Sequence, residues 1–278
     1  SSKKKLSIDL GKGIYHCWVC ESKGRNIGQF VRKHTNASKK IIAEIYDIFE
    51  FNDNVKKEDE IIVKLPDDFI LLSESNSTKA NIAKRYLFNR GVTQSDLLKF
   101  KIGISGETDF INRFIIPSFD DNLKLNYFLS RTHDQTQKIK YRNCDAKRSD
   151  IIFNEYFIDW TKTVYLVEGV FDAIKSPPNT IPMLGSWIDE KYALFRKIVI
   201  EGSEVVLCLD PDAQDKAMKI AERFNSYGNK VHIVNNKDKD FGDMTKEEVN
   251  FYIQSAKLYE QTDRMTYLIQ SISSGSIF

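Results

Sequence analysis

Three apolar runs in the second half of the chain each end on carboxylates. Glu168 follows Val164-Tyr165-Leu166-Val167, which reads as a strand covered on both faces, and Gly169 stands behind it. Asp210-Pro211-Asp212 follows the run VVLCL; Asp238, Asp240 and Asp243 follow KVHIVN. In an extended backbone residues i and i+2 project to one side, so Asp210 and Asp212 are expected to face one point, with Pro211 ending the strand. Parallel strands would gather all three groups on one rim, the place where open α/β sheets keep their chemistry. Carboxylates so gathered repel one another unless a cation is present, and oxygen ligands suit Mg²⁺ or Mn²⁺. The reaction such a site supports is in-line displacement at phosphorus, one metal lowering the pKa of the attacking hydroxyl and another stabilising the leaving group. A single acid at a strand end is ordinarily a solvated cap. Recurrence at three strand ends of one unit argues for a site.

The elements that must position these acids are legible around them. Strands are expected at 163–167, 181–184, 204–209 and 230–235, and helices at 170–175, 189–200 and 213–228, with Gly185 and Gly202 as stops. Within 213–228, Ala217, Ile220, Ala221 and Phe224 share one face and Gly228 suits the cap. Thr245 and Glu248 form a capping box that opens a last helix over 245–258. Upstream, 39–51 and 78–100 read as helices, 55–68 as a charged loop, and 113–120 and 124–132 as two strands joined at Asp121-Asn122. The expected fold class is therefore α/β plus α+β. A mixed α+β N-terminal subdomain (37–160) precedes an α/β unit (161–260) with a mainly parallel sheet flanked by helices, and a short tail (261–278) follows.

The chain has 278 residues, 41% hydrophobic and 29% charged, with no apolar run long enough to cross a bilayer. The basic start SSKKK has no apolar segment after it, so no signal peptide is read and a cytoplasmic location is the default expectation. Four cysteines in a chain this long form no disulfide framework; only Cys17 and Cys20 have metal-ligand spacing, and Cys208 reads as a buried thiol. A net charge of +2 neither announces nor excludes a nucleic-acid partner, because acids that hold cations mask a basic groove.

In order and spacing, VEGVFDAI, LCLDPDA and KDFGDM resemble the signature of the Toprim domain, shared by bacterial-type primases, topoisomerases and some nucleases. By that resemblance Glu168 matches the invariant glutamate, Asp210 and Asp212 the D-x-D metal pair, Asp172 the acid after the glutamate and Asp240 the acid of the last motif. Asp243 lies near a second acid there, at a spacing that departs from the tighter pair of cellular primases. MLGS (183–186) sits where the family has a small glycine loop. AKRYLFNRGVTQSDLLKFKIGIS (83–105) is similar to the YL..RG......F.IG segment of the DnaG-like primase core. INRFIIPSFD, NYFLSRT and KIKYRN are similar to that family's basic strands, with Arg113, Arg131 and Lys140 on matching positions and Arg142 beside them. Cations beside an acidic rim are what a template strand and a nucleoside triphosphate require, and Tyr127 and Tyr141 are candidates to stack on bases or simply to pack.

YHCWVCESKGRNIGQFV resembles the second half of the zinc ribbon that precedes this core, with Cys17 and Cys20 as one ligand pair. Zinc takes four ligands, and His16 and His34 match no family ligand, so 1–36 is expected to be a ribbon cut inside its length and only the intact ribbon to hold Zn²⁺. The compact unit, KDFGDM and the ending LIQSISSGSIF resemble the primases of T-even-type bacteriophages most.

The resemblance implies a DNA primase that makes short RNA primers from ribonucleoside triphosphates on single-stranded DNA for replication. Glu168, Asp210 and Asp212 would be catalytic. Glu168, Asp172, Asp210, Asp212, Asp240 and Asp243 would hold Mg²⁺ or Mn²⁺, and Arg113, Arg131, Lys140 and Arg142 would hold nucleotide or template. Implied partners include a hexameric replicative helicase, although the family's helicase-binding domain is not evident. The implied place is the replication fork, in an infected bacterial host if the chain is phage-encoded. Two alternatives keep the same residues: a Toprim-type metal-dependent nuclease and a non-catalytic nucleic-acid adaptor. A topoisomerase would need a nucleophilic tyrosine on a separate domain for which there is no room.

Overall fold

The computed structural model describes residues 5–9, 14–24, 26–49, 61–236, 239–260, 262–266 and 269. Asp238, residues 55–60 of the charged loop and the SISSGS tail lie outside the described residues.

Three short strands open the described part of the chain: β1 (Leu6–Asp9), β2 (Ile14–Cys17) and β3 (Lys23–Gly24) form an antiparallel sheet in that order. Helix α1 (Ile27–His34) starts where Asn26 Oδ1 accepts the Gln29 N–H at 2.7 Å, and α2 (Lys39–Phe49) follows. The two cross closely at Gly28, where an added Cβ would stand 2.6 Å from the Tyr46 ring.

The middle of the chain is an antiparallel sheet in sequence order, β4 (Ile70–Leu71), β5 (Gly103–Ile104), β6 (Arg113–Phe119), β7 (Leu125–Thr132) and β8 (Tyr141–Asn143). Helices α3 (Thr78–Asn89) and α4 (Gln94–Lys99) cover one face, packing Ala83, Leu87 and Leu97 on Phe114, Ile116 and Leu129. The single helix expected over 78–100 is thus two. Gly91 takes φ +79°, which ends α3 without a Cβ penalty, and Thr93 with Asp96 then builds a capping box that starts α4 afresh.

The last unit has a sheet of order β10-β9-β11-β12-β13, built from β9 (Val164–Val167), β10 (Thr180–Pro182), β11 (Val205–Cys208), β12 (Val231–Ile233) and β13 (Lys257–Leu258). All pairings are parallel except that of edge strand β13. Helices α5 (Val170–Lys175), α6 (Ala193–Glu201), α7 (Gln214–Ser226) and α8 (Lys246–Gln254) complete it. On α7, Ala217, Ile220, Ala221 and Phe224 are all buried as their spacing requires, and Phe224 stacks on Phe195 of α6 at 4.3 Å. Gly202 and Gly228 adopt positive φ after α6 and α7.

Two boundaries differ from expectation. Helix α6 begins only at Ala193, because Asp189 turns the chain through bonds from Tyr192 and Lys191 N–H. Helix α8 opens with the expected Thr245–Glu248 box but stops at Gln254, and 257–258, read as its end, pair instead with β12. The N-terminal helices dock on this unit: Tyr46 is buried beside Tyr227, and Arg32 caps the end of α6 by donating to the Val199 and Ile200 carbonyls. Among the described residues no helix is long and apolar enough to cross a membrane.

Candidate active site

Because β9, β11 and β12 run parallel and adjacent, the residues that follow them emerge on one edge. Glu168 leaves β9, held by Gly185, whose N–H donates to its carbonyl at 3.0 Å. Its Oε1 accepts the Asp210 N–H at 3.3 Å, which ties the first acid to the second. Asp210 Oδ1 in turn accepts the Phe241 N–H at 2.9 Å, which ties the second to the acidic turn after β12. Asp172 sits in the first turn of α5 and accepts the Gly169 N–H at 2.8 Å through Oδ2. A Cβ on Gly242 would stand 2.9 Å from the other oxygen, Oδ1, so that glycine is what lets the acidic turn close over α5.

These acids line a cleft of about 430 Å³: Glu168, Asp172, Asp210, Asp240 and Asp243 share its wall with Arg90, Tyr127, Tyr141 and Asn143. Asp212 is not part of its wall. The chain beyond Asp210 is a 3-10 turn, Pro211–Ala213, rather than extended, so the same-side projection expected of Asp210 and Asp212 does not hold and Asp212 is exposed. Its charge is still felt. Glu168 is pushed above the ordinary carboxylate range by burial first, with Asp210 and Asp212 adding repulsion. Asp210 is raised by burial and by Asp240, Asp212 and Asp243. Asp172 is raised to about 7, mostly by burial and then by Asp210 and Glu168.

Among the described residues no three His, Cys, Asp or Glu side chains are gathered closely enough to hold one metal ion. The donor chemistry nevertheless suits a hard divalent cation, since the acids of the cleft offer oxygen ligands. Glu168, Asp172, Asp210, Asp240 and Asp243 are the carboxylates of this cleft that could contribute ligands.

The basic wall is not the one expected. Arg113 is 7% exposed and spends its guanidinium on the loop before β8, donating to the Ile139 carbonyl at 2.7 Å, Gln137 Oε1 at 3.1 Å and the Lys140 carbonyl at 3.3 Å. It is a loop-holding residue with no face left for a phosphate. Arg142 pairs with Asp109 at 2.5 Å, and Lys140 is exposed outside the cleft. Arg131 does reach the cleft, through Tyr141, to whose hydroxyl it donates; it lies 4.8 Å from the Tyr141 and Phe171 rings. Tyr127 is buried, with burial pushing its hydroxyl up to about 12, and packs rather than stacks.

Sequence reading did not single out Arg90, Phe171 or Lys175. Arg90 follows α3 inside the YL..RG segment, lies 5.2 Å from the Phe171 ring and reaches Asp243 at 3.8 Å, while its buried Nε has no partner. Phe171 thus carries two guanidiniums, Arg90 and Arg131, the first of which also reaches Asp243. The quoted motifs contain Arg90 and Phe171; nothing in the sequence pattern marks Lys175. A larger depression, about 900 Å³, opens beyond the amino ends of the strands near Lys39, Asp159, Glu201 and Glu204, but its charges are already paired and it lies away from the acids.

Cys17 ends β2 and Cys20 follows in the turn. The Cys17 thiol is held below its ordinary range by hydrogen bonds from the Cys20 and Val19 backbone, then from the Cys20 side chain. His16 packs on Trp18 at 3.9 Å and His34 on Phe30 at 4.9 Å, so neither joins the pair as a third ligand.

No family model and no curated protein matches this sequence. Solved structures do. The zinc-binding and RNA polymerase domains of the Aquifex aeolicus primase superpose with a TM-score of 0.54 at 18% identity, over 93% of this chain and 77% of that one. The Escherichia coli primase catalytic core gives 0.54 at 15% identity, over 73% and 80%. A DnaG primase catalytic domain solved with single-stranded DNA gives 0.53 at 16%, over 66% and 74%. At these identities the likeness is one of fold: the mixed α+β architecture of this chain matches that of DnaG primase catalytic cores.

Proposed function

We propose that this chain is the catalytic portion of a DNA primase, joining ribonucleotides into short RNA on a single-stranded DNA template. The observation that carries the reading is the cleft itself. On a primase-core fold, Glu168, Asp210 and Asp240 meet at the carboxyl ends of adjacent parallel strands, and Arg90 faces them. The relatives' bound DNA supports a nucleic-acid template, and the acids support a site of the Toprim kind.

Mg²⁺ or Mn²⁺ held by Glu168, Asp172, Asp210 and Asp240 would activate the attacking hydroxyl and neutralise charge developing on the leaving phosphate. Arg90 and Arg131, propped on Phe171, would bind triphosphate oxygens beside the acids. Tyr141 and Asn143 border the same space and orient what enters it. Asp172, its carboxyl raised to about 7 by burial, takes its charged form more readily when positive charge enters the cleft. Asp212 lies outside the wall and acts at a distance, by its charge. In this reading Lys140 meets the template backbone, and Cys17 and Cys20 supply one ligand pair of a zinc ribbon. Kinship with T-even-type primases rests on the compact unit, the KDFGDM motif and the ending LIQSISSGSIF, and a hexameric replicative helicase is the partner that the primase resemblance implies.

The test is incorporation of labelled ribonucleotides with Mg²⁺ or Mn²⁺, both on bare single-stranded DNA and on a template carrying an annealed RNA primer, which removes any need for initiation. RNA synthesis that disappears in Glu168→Gln and Asp210→Asn supports the reading. Metal-dependent cutting of the template without synthesis overturns it in favour of a nuclease. Binding without either activity leaves an adaptor.

A further inference from the structure

Lys175 ends the short helix α5 and is buried, with 7% of its surface exposed. An ammonium taken from water costs several kcal/mol unless it is fully hydrogen-bonded, so a lysine here requires a compensating structure. That structure is the acidic turn itself. Lys175 Nζ donates to the Gly242 carbonyl at 2.6 Å and to the Met244 carbonyl at 3.0 Å. The stem of the side chain is packed too, since a Cβ on Gly91 would lie 3.7 Å from its Cε.

The turn that Lys175 grips, Phe241–Asp243, carries Asp243 and is preceded by Asp240, both on the cleft wall. The buried Phe241 and Met244 side chains anchor the ends of this turn in the core, and Lys175 holds the backbone between them. Arg90 reaches the Gly242 carbonyl only at 3.5 Å, and the Phe241 N–H is held by Asp210, a group that must be free to share its charge with a cation. The Lys175 amine donates to backbone carbonyls rather than to a carboxylate, and so fixes the backbone that two of the acids hang from.

Resting on the reading above, the structure assigns Lys175 as the positioning residue of the metal site, clamping residues 242–244 so that Asp240 and Asp243 stand within reach of a cation shared with Glu168 and Asp210. The side chain does not touch substrate; it sets where the last two acids are.

The test measures Mn²⁺ binding directly, from the electron paramagnetic resonance of free Mn²⁺, well below the melting temperature. The proteins compared are the wild type, Glu168→Gln, Lys175→Met and Phe224→Leu, the last a remote core variant that loses stability without approaching the cleft. Lys175→Met should raise the Mn²⁺ dissociation constant at least tenfold, Phe224→Leu less than twofold, and Lys175→Arg, which keeps the donors, should recover part of the loss. Binding by Lys175→Met within twofold of wild type, or an equal loss in Phe224→Leu, overturns the assignment while the primase reading stands. Wild-type binding that Glu168→Gln does not weaken overturns both. Should Lys175→Met fail to fold, Lys175→Gln, whose amide reaches one carbonyl at most, is read in the same way with a threefold threshold.

Discussion

The Phe241 N–H donates to Asp210 Oδ1 at 2.9 Å, so the acid that ends β11 also fixes the start of the acidic turn after β12. Charge and geometry at Asp210 are therefore separable. Asp210→Asn keeps an acceptor for Phe241 and removes a carboxylate that burial and its neighbours already disfavour, so it should abolish nucleotide transfer at unchanged or slightly higher melting temperature. Asp210→Ala should abolish activity and also lose about 1 kcal/mol of stability with the hydrogen bond. Calorimetry beside the incorporation assay checks both.

Asp172 gives the protein a pH dependence of defined sign. Its folded-state pKa of about 7 lies above the ordinary value of 3.8, so its favourable contribution is fully present below about pH 4 and is lost as pH rises through 7. In the presence of chelator, Asp172→Asn should therefore gain on wild type as pH rises from 4 to 8, by on the order of 4 kcal/mol at the upper end. Melting curves across that range would show a constant difference if Asp172 were not buried with its charge. Metal affinity of the wild type should rise over the same interval, because a proton must leave.

Arg113 and Arg131 sit on paired strands and are expected to behave oppositely. Arg113→Ala removes three hydrogen bonds from a buried guanidinium and should cost roughly 2–4 kcal/mol of stability. Arg131→Ala should change stability by less than about 1 kcal/mol and weaken nucleotide binding instead, with a shallower dependence on salt. Filter binding of a labelled triphosphate at two ionic strengths separates the two roles.

Gly242→Ala places a Cβ 2.9 Å from Asp172 Oδ1 and so forces the acidic turn off α5. We expect at least a tenfold rise in half-saturating Mn²⁺ with a fall in melting temperature of only a few degrees. An unchanged metal dependence would mean that the turn moves without consequence.

Thiol reactivity should follow the microenvironments of the cysteines. Cys17, lowered by the backbone of its own turn, should react with iodoacetamide at pH 8 at least tenfold faster than Cys208, which burial pushes upward. Mass spectrometry of the alkylated peptides gives the order.

The sequence by itself determined the elements of the last unit and the acids at their ends, because burial on both faces writes continuous apolar runs and the residues after them are local. Val164 to Glu168, the one-sided face of α7 and the Thr245–Glu248 box were readable for that reason. So was the fold, through motif order. Tertiary structure alone decided which charges meet. Whether Asp212 follows Asp210 into the cleft depends on a 3-10 turn at Pro211, and whether an arginine faces phosphate or a loop depends on partners far along the chain. Arg113 lost its donors to residues 137–140, while Arg90, brought in by a helix that ends at Gly91, faces the acids. Lys175 was invisible for the same physical reason, since the carbonyls that make its burial tolerable lie 67 and 69 residues away.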